Sequence, residues 1–196
     1  MSFSQSNRGK YIRCLALSVA FIFGNLVGYA SKPKAERIEE DFPFVQDPGY
    51  IPGGESFDYE IENENGEKFK IKDLKGNVVI IALFTTWCSN CPSVLQDFDF
   101  LVEKLQKTKN VKIIALNIGD ESINALKIYY KSRNVQLLDA YRSVSPEIMR
   151  GGVVRGVPAC LVFDKNGSPV WGYLGAANYN SPKFVNFIKN LAEKKS

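Results

Sequence analysis

Residues 77–95 read NVVIIALFTTWCSNCPSVL, and this stretch decides the fold. Val78 to Phe84 is a continuous apolar run rich in β-branched residues, the pattern of a strand buried on both faces. Beyond it, Val94, Leu95, Phe98, Leu101, Val102 and Leu105 recur at helical spacing. Between the two patterns lies Cys88-Ser89-Asn90-Cys91. A strand that hands over to a helix at two cysteines has a chemical meaning. A helix N-terminus presents unpaired N–H groups and a partial positive charge, which favour a thiolate over a thiol. This reading puts Cys88 at the helix start, exposed, and Cys91 one turn on along the same face. The spacing brings the sulfurs within bonding reach. It allows attack by Cys88, a mixed disulfide, and resolution by Cys91.

Outward from this junction the chain alternates strands and helices. On the N-terminal side, Phe57, Tyr59 and Ile61 alternate with polar residues, Asn65-Gly66 supplies a turn, and Phe69 and Ile71 alternate on the return, so a hairpin is expected. On the C-terminal side, Val111–Ile118 reads as a second buried strand and Asp120 to about Arg133 as a helix. Ser145-Pro146 starts a short helix that Gly151 stops. ACLVFD and SPVWGYL read as strands joined by Asn166-Gly167. Ser181-Pro182 opens a last helix with Phe184, Phe187, Ile188 and Leu191 on its face. Strand-helix-strand alternation demands a parallel core, and the second hairpin adds antiparallel strands. The expected fold class is α/β, a mixed central sheet with helices on both faces and an N-terminal β-hairpin.

Composition narrows the chemistry. The chain has 196 residues, room for one domain plus a tail, and no histidine. That removes Ser-His and Cys-His nucleophile pairs and His-containing zinc or copper sites. Three of the 25 basic residues, Arg8, Lys10 and Arg13, precede Ser31, leaving 22 against 21 acids in the remainder. Such a balance gives nucleic-acid binding no support. A zinc site would need a second ligand pair, but Cys14 lies in an apolar run and Cys160 is isolated. No metal and no cofactor is expected, and Cys160 reads as a packed core cysteine.

The first thirty residues are basic and then apolar, with CLALSVAFIFGNLVGYA running from Cys14 to Ala30. Residues 1–30 are read as an uncleaved membrane anchor through 14–30 or a cleaved export signal, with Gly28 and Ala30 as the small residues before Ser31. Residues 31–56 read as a linker, since Pro33, Pro43, Pro48, Pro52, Gly49, Gly53 and Gly54 deny it a helix or central strand. The folded domain is expected over 57–196, on the periplasmic side of a bacterial inner membrane if anchored, or in the periplasm if the signal is cleaved.

The stretch TTWCSNCP resembles the active-site segment of the thioredoxin superfamily. More narrowly, the chain is similar to the membrane-tethered, envelope-facing TlpA/ResA/CcmG group. The order of hairpin, LKG turn, strand and active site in FDYEIENENGEKFKIKDLKGNVVIIALFTTWC matches that group, as do VKIIALNIGDE and RGVPACLVFDKNG. The resemblance implies a thioredoxin-like three-layer sandwich and a thiol-disulfide oxidoreductase acting on protein thiols and disulfides, as a reductant, in exchange with a membrane electron donor or acceptor. It implies that Cys88 is the nucleophile and Cys91 the resolving thiol. It also implies that Trp87 flanks the site and that Pro158 is a cis-proline, with Val157 before it offering backbone to substrate.

The departures bear on proton handling. Thioredoxin carries a buried Asp where this chain has Ala82, and the envelope group often carries a Glu where it has Val94. Pro92 directly follows Cys91 and withdraws one amide near the first helical turn. Two other functions compete with this reading. Thr85 lies three residues before Cys88, as in a peroxiredoxin-type peroxidase, but Ile81 replaces the proline of that family. A Sco-like copper-binding assembly module also has Cys-Pro after its pair, but with three intervening residues and a His ligand; Cu(I) on two thiolates would be its chemistry.

Overall fold

The computed structural model describes residues 59–145, 148 and 154–194. These residues all belong to one compact unit. The readings of an anchor at 1–30 and a linker at 31–56 fall outside them, as does Phe57.

Among the described residues, seven strands form one sheet in the order β2-β1-β5-β4-β3-β6-β7. They are β1 (Glu60–Glu62), β2 (Lys68–Lys70), β3 (Val78–Phe84), β4 (Val111–Asn117), β5 (Ala140–Ser143), β6 (Ala159–Phe163) and β7 (Pro169–Leu174). The helices bounded among the described residues are α1 (Cys91–Leu105), α2 (Ile123–Ser132) and α3 (Pro182–Glu193), with a 3-10 turn at Ile71–Leu74. β3, β4 and β5 run parallel, with Ala82 opposite Ala115 and Ala115 opposite Ala140. β6 runs antiparallel to β3, β7 to β6, and β1 to both β2 and β5. Every residue of β3 is buried, as its unbroken apolar run requires.

Successive β3 side chains feed two cores. Val78, Ile80, Ala82 and Phe84 join Cys91, Val94, Leu95, Phe98 and Leu101 of α1, Leu126 and Tyr130 of α2, and Phe184 and Ile188 of α3. Val79, Ile81 and Leu83 join Ile71, Ile114, Leu116, Leu161 and Ile148 on the other face. The β3-α1-β4 and β4-α2-β5 crossovers step the same way across the sheet. Right-handed connections then put α1 and α2 on one face. Ile148, which is helical, contributes to the opposite core; most of the short helix expected from Ser145 lies outside the described residues.

Three boundaries differ from the sequence reading. α2 begins at Ile123 rather than near Asp120, because the Ser122 hydroxyl caps it by accepting from the Ala125 N–H at 3.3 Å. The return strand of the first hairpin stops at Lys70, where the Asp73 carboxylate accepts the Lys70 N–H at 2.8 Å and Ile71 turns into the 3-10 segment. β5 was not foreseen. Four residues, Ala-Tyr-Arg-Ser, show no periodicity, and only pairing with β4 and β1 makes them a strand.

Candidate active site

β3 ends at Phe84, and the chain leaves the sheet through two successive turns. The Cys88 N–H donates to the Thr85 carbonyl at 3.3 Å, and the Cys91 N–H donates to the Cys88 carbonyl at 3.3 Å. The helix then starts at Cys91, not at Cys88 as the sequence suggested. Pro92 is the physical reason. A helix begun at Cys88 would need the residue 92 N–H to donate back to the Cys88 carbonyl, and proline has none. At the second helical position the same lack costs nothing, since that N–H would be unpaired anyway. Cys88 therefore sits in a turn just ahead of the helix.

Cys88 and Cys91 are joined in a disulfide with Cα atoms 5.4 Å apart. Cys88 keeps 8% of its surface exposed and Cys91 none. Trp87, a central residue of the Thr85–Cys88 turn, is 69% exposed. The β3-β6 register sets Leu83 opposite Ala159. Continued past Ala159, it brings Val157 and Pro158 to the edge of the sheet from which Cys88 departs. The Val157-Pro158 peptide is cis. Pro158 is buried and its carbonyl accepts the Gly175 N–H at 2.8 Å. That register sets Val157 and Pro158 beside the end of β3, from which Trp87, Cys88 and Cys91 follow along the chain. Cys160 lies deeper, free, fully buried, and with its thiol pushed well up by desolvation.

Sequence reasoning missed a polar cluster at the same edge. Glu121, from the loop between β4 and α2, accepts a hydrogen bond from the Thr86 hydroxyl and another from the Asn117 side-chain amide at 2.7 Å. Asn117 is wholly buried, and its own carbonyl oxygen accepts the Gly119 N–H at 2.9 Å. Partial burial pushes the Glu121 carboxyl up, but the bonds from Thr86, Asn117 and its own backbone outweigh it and hold the group below its usual value. A lone polar residue closing the apolar run VKIIALN was the signal that could have found this cluster. The Thr85 hydroxyl is buried without a hydrogen-bond partner.

A disulfide between cysteines three residues apart, at the exit of a central strand, can open to a dithiol and close again by thiolate exchange. The comparisons agree with that chemistry. The profile of the AhpC/TSA family matches residues 52–168. The thiol-disulfide oxidoreductase ResA of Bacillus subtilis is 31% identical over 106 residues, covering 48% of this chain and 56% of that protein. ResA of Bacillus cereus is 28% identical over 161 residues, 82% of this chain and 83% of that one. A crystal structure of a candidate thiol-disulfide oxidoreductase from Bacteroides vulgatus superposes with a TM-score of 0.59 at 21% identity, covering 74% of this chain and 99% of that one. The fold is thioredoxin-like.

Proposed function

The chain belongs to the AhpC/TSA family and is a thiol-disulfide oxidoreductase resembling its TlpA/ResA/CcmG branch, and we propose that it reduces protein disulfides on the outer side of a bacterial cytoplasmic membrane. The observation that carries the reading is the Cys88–Cys91 disulfide at the exit of β3, with the first cysteine the more exposed.

In the proposed cycle the Cys88 thiolate attacks one sulfur of a substrate disulfide. That S–S bond breaks, and its other sulfur leaves as a thiolate. The Cys91 thiolate then attacks the Cys88 sulfur, and the second substrate sulfur departs. The substrate has gained two electrons, and the Cys88–Cys91 bond is restored. A membrane dithiol donor must return those two electrons. Attack through Cys88 is favoured because it is the more accessible of the two sulfurs, and by the adjacent N-terminal end of α1. Trp87 supplies an exposed apolar surface beside the sulfur, and Val157 and Pro158 are proposed to border the bound peptide.

The membrane reading draws on the apolar run 14–30 behind Arg8, Lys10 and Arg13. Among the described residues no helix is long and apolar enough to cross a membrane.

The test is trapping. A Cys91→Ser protein expressed in its own cells should accumulate mixed disulfides through Cys88 with extracytoplasmic proteins. Iodoacetamide should label Cys88 before Cys91 in the reduced wild type. Trapping of cytoplasmic proteins alone would refute the location, and first labelling of Cys91 would refute the roles.

A further inference from the structure

We propose that Glu121 is the positioning residue of this redox site: it holds the turn that presents Cys88 and keeps a negative charge beside the sulfur. The inference rests on the exchange reading of Cys88 and Cys91.

Thr86 and Trp87 are the two central residues of the turn closed by the Cys88 N–H on the Thr85 carbonyl. The Thr86 hydroxyl donates to Glu121. Glu121 is held in turn by Asn117, which is fixed inside the sheet opposite Phe84 in the β3-β4 register. Asn117 uses both ends of its amide, donating to Glu121 and accepting from the Gly119 N–H. Turning the amide over would lose both bonds. A chain of hydrogen bonds therefore runs from the sheet interior to the residue two before Cys88.

The space for this chain is made by Gly119. A Cβ at that position would stand 2.4 Å from Glu121 Oε2 and 3.2 Å from Asn117 Oδ1. The carboxylate occupies the volume a side chain would fill. Its hydrogen-bond donors, Thr86, Asn117 and its own backbone, are all neutral, and together they favour the ionised form. The neighbouring Asp120 is exposed and adds the same sign of charge.

Only Trp87 separates Thr86 from Cys88, so the carboxylate bonded to Thr86 is one turn residue away from the cysteine. Salt screens its charge over about 8 Å at physiological ionic strength. A carboxylate there opposes the Cys88 thiolate. Whatever disfavours the thiolate disfavours the reduced pair, so the charge biases the site toward giving electrons away. Position and charge thus act together: the same bond that fixes the turn fixes the carboxylate beside it.

Three variants separate the two effects. Glu121→Gln keeps the shape and an acceptor for Thr86, removes the charge, and gives up the bond from the fixed Asn117 amide. Thr86→Val keeps the shape of the turn residue but removes its bond to the carboxylate. Gly119→Ala keeps the charge and displaces it, since the obstructing atoms are the end of a flexible side chain. In the reduced full-length chain, Glu121→Gln should raise the rate of Cys88 alkylation at neutral pH about three-fold. It should shift the equilibrium with glutathione about three-fold toward the dithiol. Thr86→Val and Gly119→Ala should lower kcat/KM for a peptide disulfide about ten-fold. Thr86→Ser, which restores the hydroxyl, should recover the wild-type rate.

An alkylation profile and glutathione equilibrium unchanged in Glu121→Gln would overturn the role of the charge. Equal kcat/KM in Thr86→Val and Thr86→Ser would overturn the role of the tie, whether or not Gly119→Ala folds. Alkylation and glutathione equilibrium need no protein substrate. A wild type that fails on peptide disulfides would therefore count against the exchange function and leave the test of Glu121's charge standing.

Discussion

Ala82 of β3 and Cys160 of β6 stand directly opposite one another in the antiparallel pairing, and both are fully buried. The position where thioredoxin keeps an acid is here a methyl group facing an inert thiol. Burial holds the Cys160 thiol protonated. Iodoacetamide should therefore reach it only in denaturant. Cys160→Ala should lower stability by about 1–2 kcal/mol, the range for a small core truncation, and leave disulfide exchange unchanged. Native labelling of Cys160 as fast as that of Cys88 would contradict this placement.

Val94, one turn beyond Cys91, is buried in the core that the pair joins. A carboxylate there loses water, so Val94→Glu should give an acid titrating well above its usual range. The sign follows from linkage. With the folded value raised, the penalty is present above it and is relieved as pH falls through it. Urea unfolding of the variant should show it least stable relative to wild type at alkaline pH. The release of a Cys88-linked peptide should change its pH profile between about pH 6 and 9, where a free thiol and a raised carboxyl titrate. An unaltered profile would mean that an acid at this position does not control resolution by Cys91.

The Thr85 hydroxyl is buried and makes no hydrogen bond. An unpaired buried hydroxyl costs about 1–3 kcal/mol. Thr85→Val, which keeps the shape, should raise the urea midpoint by the equivalent of about 1 kcal/mol. Exchange kinetics should be unaltered. Loss of stability would show that the hydroxyl finds a partner in solution, and loss of exchange would give it a part in the chemistry.

Asp97 ties α1 to the segment before α3. Its carboxylate accepts the Tyr179 N–H at 3.2 Å and the Asn180 side-chain amide at 2.5 Å. Desolvation nevertheless lifts its pKa, against the lowering effect of Asn180, Tyr179 and Lys104. The ionised form therefore carries a penalty above the raised value, relieved as pH falls toward the ordinary value of 3.8. Wild type should gain stability relative to Asp97→Asn as pH is lowered from neutral toward 3.8. A difference between the two proteins that stays constant over that range would remove Asp97 as a source of the pH dependence.

The sequence by itself determined the strand, the cysteine pair and the long helix, because each is written in local periodicity. Seven buried apolar residues make a central strand, and the i, i+3, i+4 stripe of α1 makes an amphipathic helix. Asn166-Gly167 was legible as a turn and Ser181-Pro182 as a helix start, since turns and caps depend on adjacent residues. Only the tertiary structure decided β5, whose four residues become a strand through pairing with chain far away in sequence. Where α1 begins, by contrast, turns on a local backbone bond that Pro92 cannot make, so that boundary was within reach of the sequence. The meeting of Thr86 with Glu121, 35 residues apart, depends on the register of β3 against β4 and on the space left at Gly119. Register and vacancy are properties of the packed sheet, and no stretch of the chain carries them alone.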